Sequence, residues 1–180
     1  LKQAIESKSV KINQILNQLA EANFDTNLTN LSSWHKKSDA NTHLRVGQLG
    51  ELSVVVSVKF THIAPLNLIG AGVEFGILAP GATEYAYDIG SAPTVPTGQI
   101  FGAVINVLRG DLPTHWDFMY AEAKDSVPRR VRLYTALFSR FASHYNMVVG
   151  SVADRHSGGV VMARQQDMEP IRQLASQVFR

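Results

Sequence analysis

Between Thr97 and Asp154 the chain switches period three times, helix, strand, helix, strand, and that order limits its fold more than any other feature. Gly98 to Arg109 is a helical run, Trp116 to Ala123 alternates like a strand, Val127 to Tyr145 is amphipathic, and Met147 to Val152 reads as a second strand. In the first strand Trp116, Phe118 and Tyr120 fall at every second position and share one face. Asp117, Met119, Ala121 and Ala123 share the other, so both faces ask for burial. Asp125 or Ser126 can cap the following helix and Pro128 fits its first turn. Val131, Tyr134, Leu137, Phe138 and Phe141 then recur at helical spacing, interleaved with Arg129, Arg130, Arg132 and Arg140. The expectation is two neighbouring parallel strands joined by a right-handed crossover.

Upstream, Leu52, Val54, Val56, Val58 and Phe60 alternate with Ser53, Val55, Ser57, Lys59 and Thr61, which predicts a strand with one buried face. Gly47 to Gly50 separates it from Leu44–Val46 and predicts a hairpin turn. After Pro65, Val73 to Leu78 and Tyr85 to Ile89 read as further strands around Pro80-Gly81. Residues 1–24 carry Ile5, Ile12, Leu16 and Leu19 on one helical face, expected to pack on the domain. Asn23 to Asn41, with Trp34-His35-Lys36-Lys37, reads as loop or short helix. At the other end come a turn-rich loop, a short strand at Val160 to Ala163, and a last helix marked by Ile171, Leu174, Ala175 and Val178, with Asp167 as its cap.

This order resembles the GNAT acetyltransferase fold. The fold class is thus expected to be α/β: a mixed, mostly antiparallel sheet flanked by helices, with a central helix-strand-helix-strand unit. Residues 1–42 would form an N-terminal amphipathic helix and polar loop packed on the domain, and 43–180 the GNAT-like α/β domain. The resemblance implies that coenzyme A places its pyrophosphate at the N-terminus of the helix after the fourth strand. It also implies that the fourth and fifth strands, here Tyr85 to Ile89 and Trp116 to Ala123, splay apart to admit the pantetheine arm.

Two local matches carry the resemblance beyond element order. The family's phosphate loop runs Gln or Arg, two residues, Gly, one residue, then Gly or Ala; Gln99, Ile100, Phe101, Gly102 and Ala103 follow it, and Val104 departs from it at the last position. Gly90 to Gly98, with two prolines and two glycines, leads into that helix and can end in free N–H groups suited to an anion. The second match is Arg132-Leu133-Tyr134, similar to the family's Leu-Tyr segment, whose tyrosine protonates the departing thiolate; a phenol does this while neutral at pH 7. For the general base, Glu122 and Glu84 come first, on the strands expected to frame the cleft, with Glu74 and Asp88 behind them. On this reading acetyl-CoA is the co-substrate, an amine accepts the acyl group, and no metal takes part.

The stretch from Tyr85 through Val149 is also similar to uncharacterised phage-encoded GNAT-like proteins. The alternative is therefore a non-catalytic virion, structural or interaction protein that retains the fold, with phage or other protein partners.

Other chemistries find little footing. No cysteine is present, which removes disulfides, thiolate zinc and a cysteine nucleophile, and fits a reducing compartment. The six histidines show no helical ligand pair, and no serine sits in a GxSxG elbow. A net charge of +2, without an aromatic-basic recognition motif, predicts no nucleic-acid partner. No apolar run approaches the ~20 residues that span a bilayer, so a soluble protein is expected, in the cytoplasm of its cell or, if phage-encoded, in the host cytoplasm or the virion. Leu1 in place of Met points to residues upstream.

Overall fold

The computed structural model describes residues 28–37, 39, 41–78, 80–82, 97–109, 112–122, 127–153 and 158–174. The strands are β1 (His35–Lys36), β2 (Thr42–Leu49), β3 (Leu52–Ile63), β4 (Leu68–Leu78), β5 (Phe118–Glu122), β6 (Val148–Ala153) and β7 (Gly158–Ala163). The helices are α1 (Thr97–Arg109), α2 (Val127–Ala142) and α3 (Gln165–Gln173). All seven strands join one open sheet in the order β1-β2-β3-β4-β5-β7-β6, antiparallel throughout except for β4 and β5. The expectations for the N-terminal helix, for the caps Asp125 and Ser126, and for Tyr85 to Ile89 fall outside the described residues.

Period-two alternation decides the two faces. Val54, Val56, Val58 and Phe60 of β3 meet Val73, Phe75 and Ile77 of β4, Met119 and Ala121 of β5, and the buried sides of α1 and α2 in one core. α1 is apolar nearly all round, and Ile100, Phe101, Ala103, Val104 and Ile105 are at most 2% exposed, as a helix must be when it is covered on most sides. On the opposite face Phe118, Val161 and Ala163 pack against Met168 and Ile171 of α3. Every residue of β7 is buried, because α2 lies over one side of it and α3 approaches the other.

That burial explains a first correction. The strands at 118–122 and 148–153 are not neighbours; β7 lies between them, antiparallel to both. Both apolar strands suit an interior position, but β6 carries the exposed Ser151 and takes the edge, while the uniformly buried β7 takes the middle. A second correction concerns the strand beside β5. It is Leu68–Leu78, five residues longer at its start than the apolar run suggested, entered through a 3-10 turn at Ala64–Leu66 and a left-handed Asn67 (φ 51°).

Smaller differences follow from local hydrogen bonding. The hairpin turn is Gly50-Glu51 alone, with Leu49 opposite Leu52 and Gly50 at φ 62°, whereas Gly47 lies inside β2 under Leu28 and Leu31. His35–Lys36 pair with β2 as an edge strand rather than a helical turn. Asp167 does not cap α3: Arg164 occupies that position with no side-chain bond, and Asp167 sits in the first turn, where its charge still favours the helix dipole. Trp116 leaves the face of Phe118 and Tyr120 and stacks edge-on against Tyr145, 5.3 Å between ring centres. Residues 28 and 34 pack on the main core, and the boundary at 42/43 falls within the start of β2.

The parallel pair is pinned at its start. Asp117 donates its N–H to the carbonyl of Ile69 (2.8 Å), while its Oδ2 accepts the N–H of Ile69 (2.8 Å) and its Oδ1 meets His115 Nε2 (3.1 Å). Asp117→Ala removes the side-chain acceptor and leaves the Ile69 amide short of its partner, which costs about 1–3 kcal/mol. A fall in the denaturant midpoint at constant slope is expected, and an unchanged midpoint would show that the pin contributes nothing.

Candidate functional site

β4 and β5 pair for three residues only: Gly70 with Phe118, Ala71 with Met119, and Gly72 with Tyr120. Beyond Gly72, β4 runs on to Leu78 beside β3, while Ala121 and Glu122 stay paired with β7. The sheet therefore opens, and among the described residues no strand pairs with the freed edge of β4. Backbone N–H and C=O groups on such an edge need partners, so the gap is suited to an extended polar ligand.

Glycine makes the three-residue junction possible. A Cβ on Gly70 would lie 2.5 Å from Phe118 Cζ, and one on Gly72 would lie 2.7 Å from the Tyr120 ring and its hydroxyl. The two rings thus lie flat across β4, and Tyr120 reaches over it to a side-chain hydrogen bond with Thr61 on β3. Burial holds the Tyr120 phenol above its ordinary pKa of 10.0, and the charges of Glu122 and Glu74 push the same way against the Thr61 bond.

On this face Tyr120 borders a pocket of about 340 Å³ lined by Lys37, Asp39, Thr42, Ser57, Lys59, Gly72, Val73, Glu74 and Glu122. Strand register explains the assembly. Thr42, Lys59, Gly72 and Tyr120 form one row across β2, β3, β4 and β5, and Ser57 and Glu74 lie in the next, on the side towards Glu122. Asp39 is committed locally, accepting the Thr42 N–H (3.0 Å) and hydroxyl (2.9 Å).

The helix-covered face has a different chemistry. Phe75, three residues past the end of the ladder, stacks edge-on against Phe101 of α1 (5.6 Å) and Tyr134 of α2 (5.8 Å). That contact packs the N-terminal half of α1 against β4, while the body of the helix lies over β3 and β2. The amides without a partner inside α1 are those of the first turn, Thr97 to Gln99, while Gly102 and Ala103 lie a turn further in.

Each residue expected from sequence can now be located. Gln99 is exposed at the start of α1, whereas Ile100, Phe101, Gly102 and Ala103 are core. Val104 is also core. Tyr134 is half-buried behind β4, and Glu122 is half-buried on β5 facing the pocket, with exposed Glu74 beside it. Glu84 and Asp88 lie outside the described residues, as does most of the Gly90 to Gly98 loop. Arg132 is exposed and Arg140 half-exposed. Tyr120 was missed, being read only as one of three aromatics on a buried face; the available signal was Gly70-x-Gly72, which leaves room for two rings from a neighbouring strand. Among the described residues no group of three His, Asp or Glu side chains is placed to hold a metal ion, and no helix is long and apolar enough to cross a membrane.

Compared with family models, with curated proteins and with solved structures, the chain has no match.

Two consequences are measurable. Gly72→Ala forces the Tyr120 ring off β4 and costs about 1–3 kcal/mol in unfolding free energy, as overpacking does; pairing it with Tyr120→Ala removes the obstacle and recovers part of the loss in a double-mutant cycle. The second is alkaline stability. Because folding raises the Tyr120 pKa, its contribution is complete below pH 10.0 and is lost as pH climbs through the higher folded value. The wild type should lose more stability above pH 10.0 than Tyr120→Phe does, and parallel curves would contradict the raised pKa.

Proposed function

We propose that the chain is a GNAT-like protein that binds an acyl-coenzyme A in the gap between β4 and β5 and transfers the acyl group to an amine. The observation that carries this reading is the short parallel ladder, closed for three pairs and then open, with different functional groups on its two sides. On the helix side Phe75 meets Tyr134 and Phe101, and Phe101 lies one turn into α1. On the other side stand Glu122, Glu74 and Tyr120.

Each group has a chemical task that suits its place. The first-turn amides of α1 point a partial positive charge at the pyrophosphate, and Gln99 adds an exposed amide beside them. The freed edge of β4 pairs with the amides of the pantetheine arm as a further strand would. The acceptor enters as an ammonium from the carboxylate side and loses a proton to Glu122 or Glu74, directly or through water. Its nitrogen then attacks the thioester carbonyl carbon and sheds a second proton to water, the carbon–sulfur bond breaks, and Tyr134 gives its phenolic proton to the thiolate. The resulting phenolate recovers a proton from solvent.

Acetyl-CoA should raise the melting temperature with a saturating concentration dependence, by about 2.7 kcal/mol of stabilisation at a hundred times Kd. Gln99→Glu places a like charge beside the pyrophosphate while leaving a helix-favouring residue in the first turn, so it should weaken the shift without lowering the melting temperature of the free protein. Tyr134→Phe should keep the shift and lose roughly a hundredfold or more in turnover. No shift at millimolar acetyl-CoA would refute the reading.

A further inference from the structure

The charges around the pocket are sorted by strand. Lys37, beside the β1 edge strand, and Lys59 on β3 stand at one end. Glu74 on β4 and Glu122 on β5 stand at the other, nearest the gap. Adjacent strands are about 4.8 Å apart and residues rise about 3.3 Å, so Lys59 and Glu122, two strands and two residues apart, have backbones separated by about 12 Å across one small pocket. Oppositely charged side chains sharing a pocket would ordinarily pair, yet among the described residues no ion pair joins either lysine to a carboxylate, although Glu122 has an interaction of its own. Asp39, the one acidic residue at the cationic end, has both carboxylate oxygens bonded to Thr42. Thr42, Ser57 and Tyr120 add hydroxyls between the two ends, and Gly72 with the Tyr120 ring provides a flat floor.

We infer that this pocket binds a small zwitterion, a primary ammonium joined to a carboxylate by a short chain, with the carboxylate held by Lys59 and Lys37 and the ammonium by Glu122 and Glu74. The inference rests on the acyl-transfer reading only for its consequence: a ligand in this orientation presents its amine at the β4–β5 gap and its carboxylate away from it. The acceptor would then be an amino acid or a related amino carboxylate. A simple diamine meets the lysines with like charge, and a dicarboxylate meets the glutamates.

Three probes of one carbon skeleton test it: γ-aminobutyrate, butylamine and butyrate, titrated into the full chain by calorimetry or ligand-observed NMR, with and without coenzyme A. γ-Aminobutyrate should bind about fivefold or more tightly than either singly charged probe, the gain of one well-placed partly exposed ion pair, and the gain should shrink at raised salt. Lys59→Met should bring γ-aminobutyrate down to the level of butylamine and leave butylamine binding as it was. Glu122→Gln should bring it down to the level of butyrate. If γ-aminobutyrate binds no better than butylamine in the wild type, or keeps its advantage in Lys59→Met, the dipolar pocket is overturned. The acyl-transfer reading is judged separately, by coenzyme A binding in the same titrations. A zwitterion that binds while coenzyme A does not preserves the pocket and refutes that reading.

Discussion

A parallel ladder of three residue pairs, closed at one end by Asp117 and released at the other, is the constraint on which the rest of this structure depends. Parallel strands cannot be joined by a tight turn, so the chain must leave β4, cross the sheet and return, and α1 lies on that path. The helix lies over β3 and β2 and meets the far half of β4 where Phe101 stacks on Phe75. The same ladder sets Gly72 against Tyr120 and Gly70 against Phe118. Were either glycine a larger residue, the rings would stand away from the sheet and the floor of the pocket would be lost.

The two faces of the sheet are unequal because their covers are unequal. α1 and α2 bury one face over most of its width, so alternate residues of β3 and β4 there are Val, Ile and Phe with little exposure. α3 reaches only the β5, β7 and β6 end of the other face, where Phe118 and Val161 are fully buried. Further across that face, Ser57, Lys59, Gly72 and Glu74 alternate with core residues, and polar groups gather in a pocket. The same two-residue period that builds the core thus supplies the pocket, one set of side chains pointing each way.

What the sequence disclosed follows from these physical differences. β3 was legible because half of it is buried and half is not, which writes the period directly into the residues. β4 was shortened because Gly70 and Gly72 interrupt Leu68, Ile69 and Ala71, so the strand's first half showed no clear two-residue period although it holds the junction. The order of β6 and β7 was not legible: both are short and apolar, and which one takes the edge is settled by helices from elsewhere in the chain. For the candidate site, the elements bearing Tyr134, Glu122 and Gln99 were found correctly, while the role of Tyr120 depends on a cross-strand glycine that only the register reveals. The Gln99 to Ala103 segment was legible as the start of a helix. That four of its five residues turn inward follows from the near-total burial of α1, which a single helical run does not announce.

The separation of Tyr134 from Glu122 and Glu74 bears on the proposed chemistry. They stand on opposite sides of the sheet, with β4 between Tyr134 and the pocket, so a continuous sheet would prevent them from acting on one bond. The gap past Gly72 is where the layer is interrupted, and a carbonyl lodged there is open to a nucleophile from the pocket while its leaving group faces the helices. On the acyl-transfer reading, base and acid need not be close, because one serves the incoming nitrogen and the other the departing sulfur, which sit on different bonds of the tetrahedral carbon. The sheet then acts as a partition: protons move on each side without a direct path between them, and the reacting group is held where the partition is open.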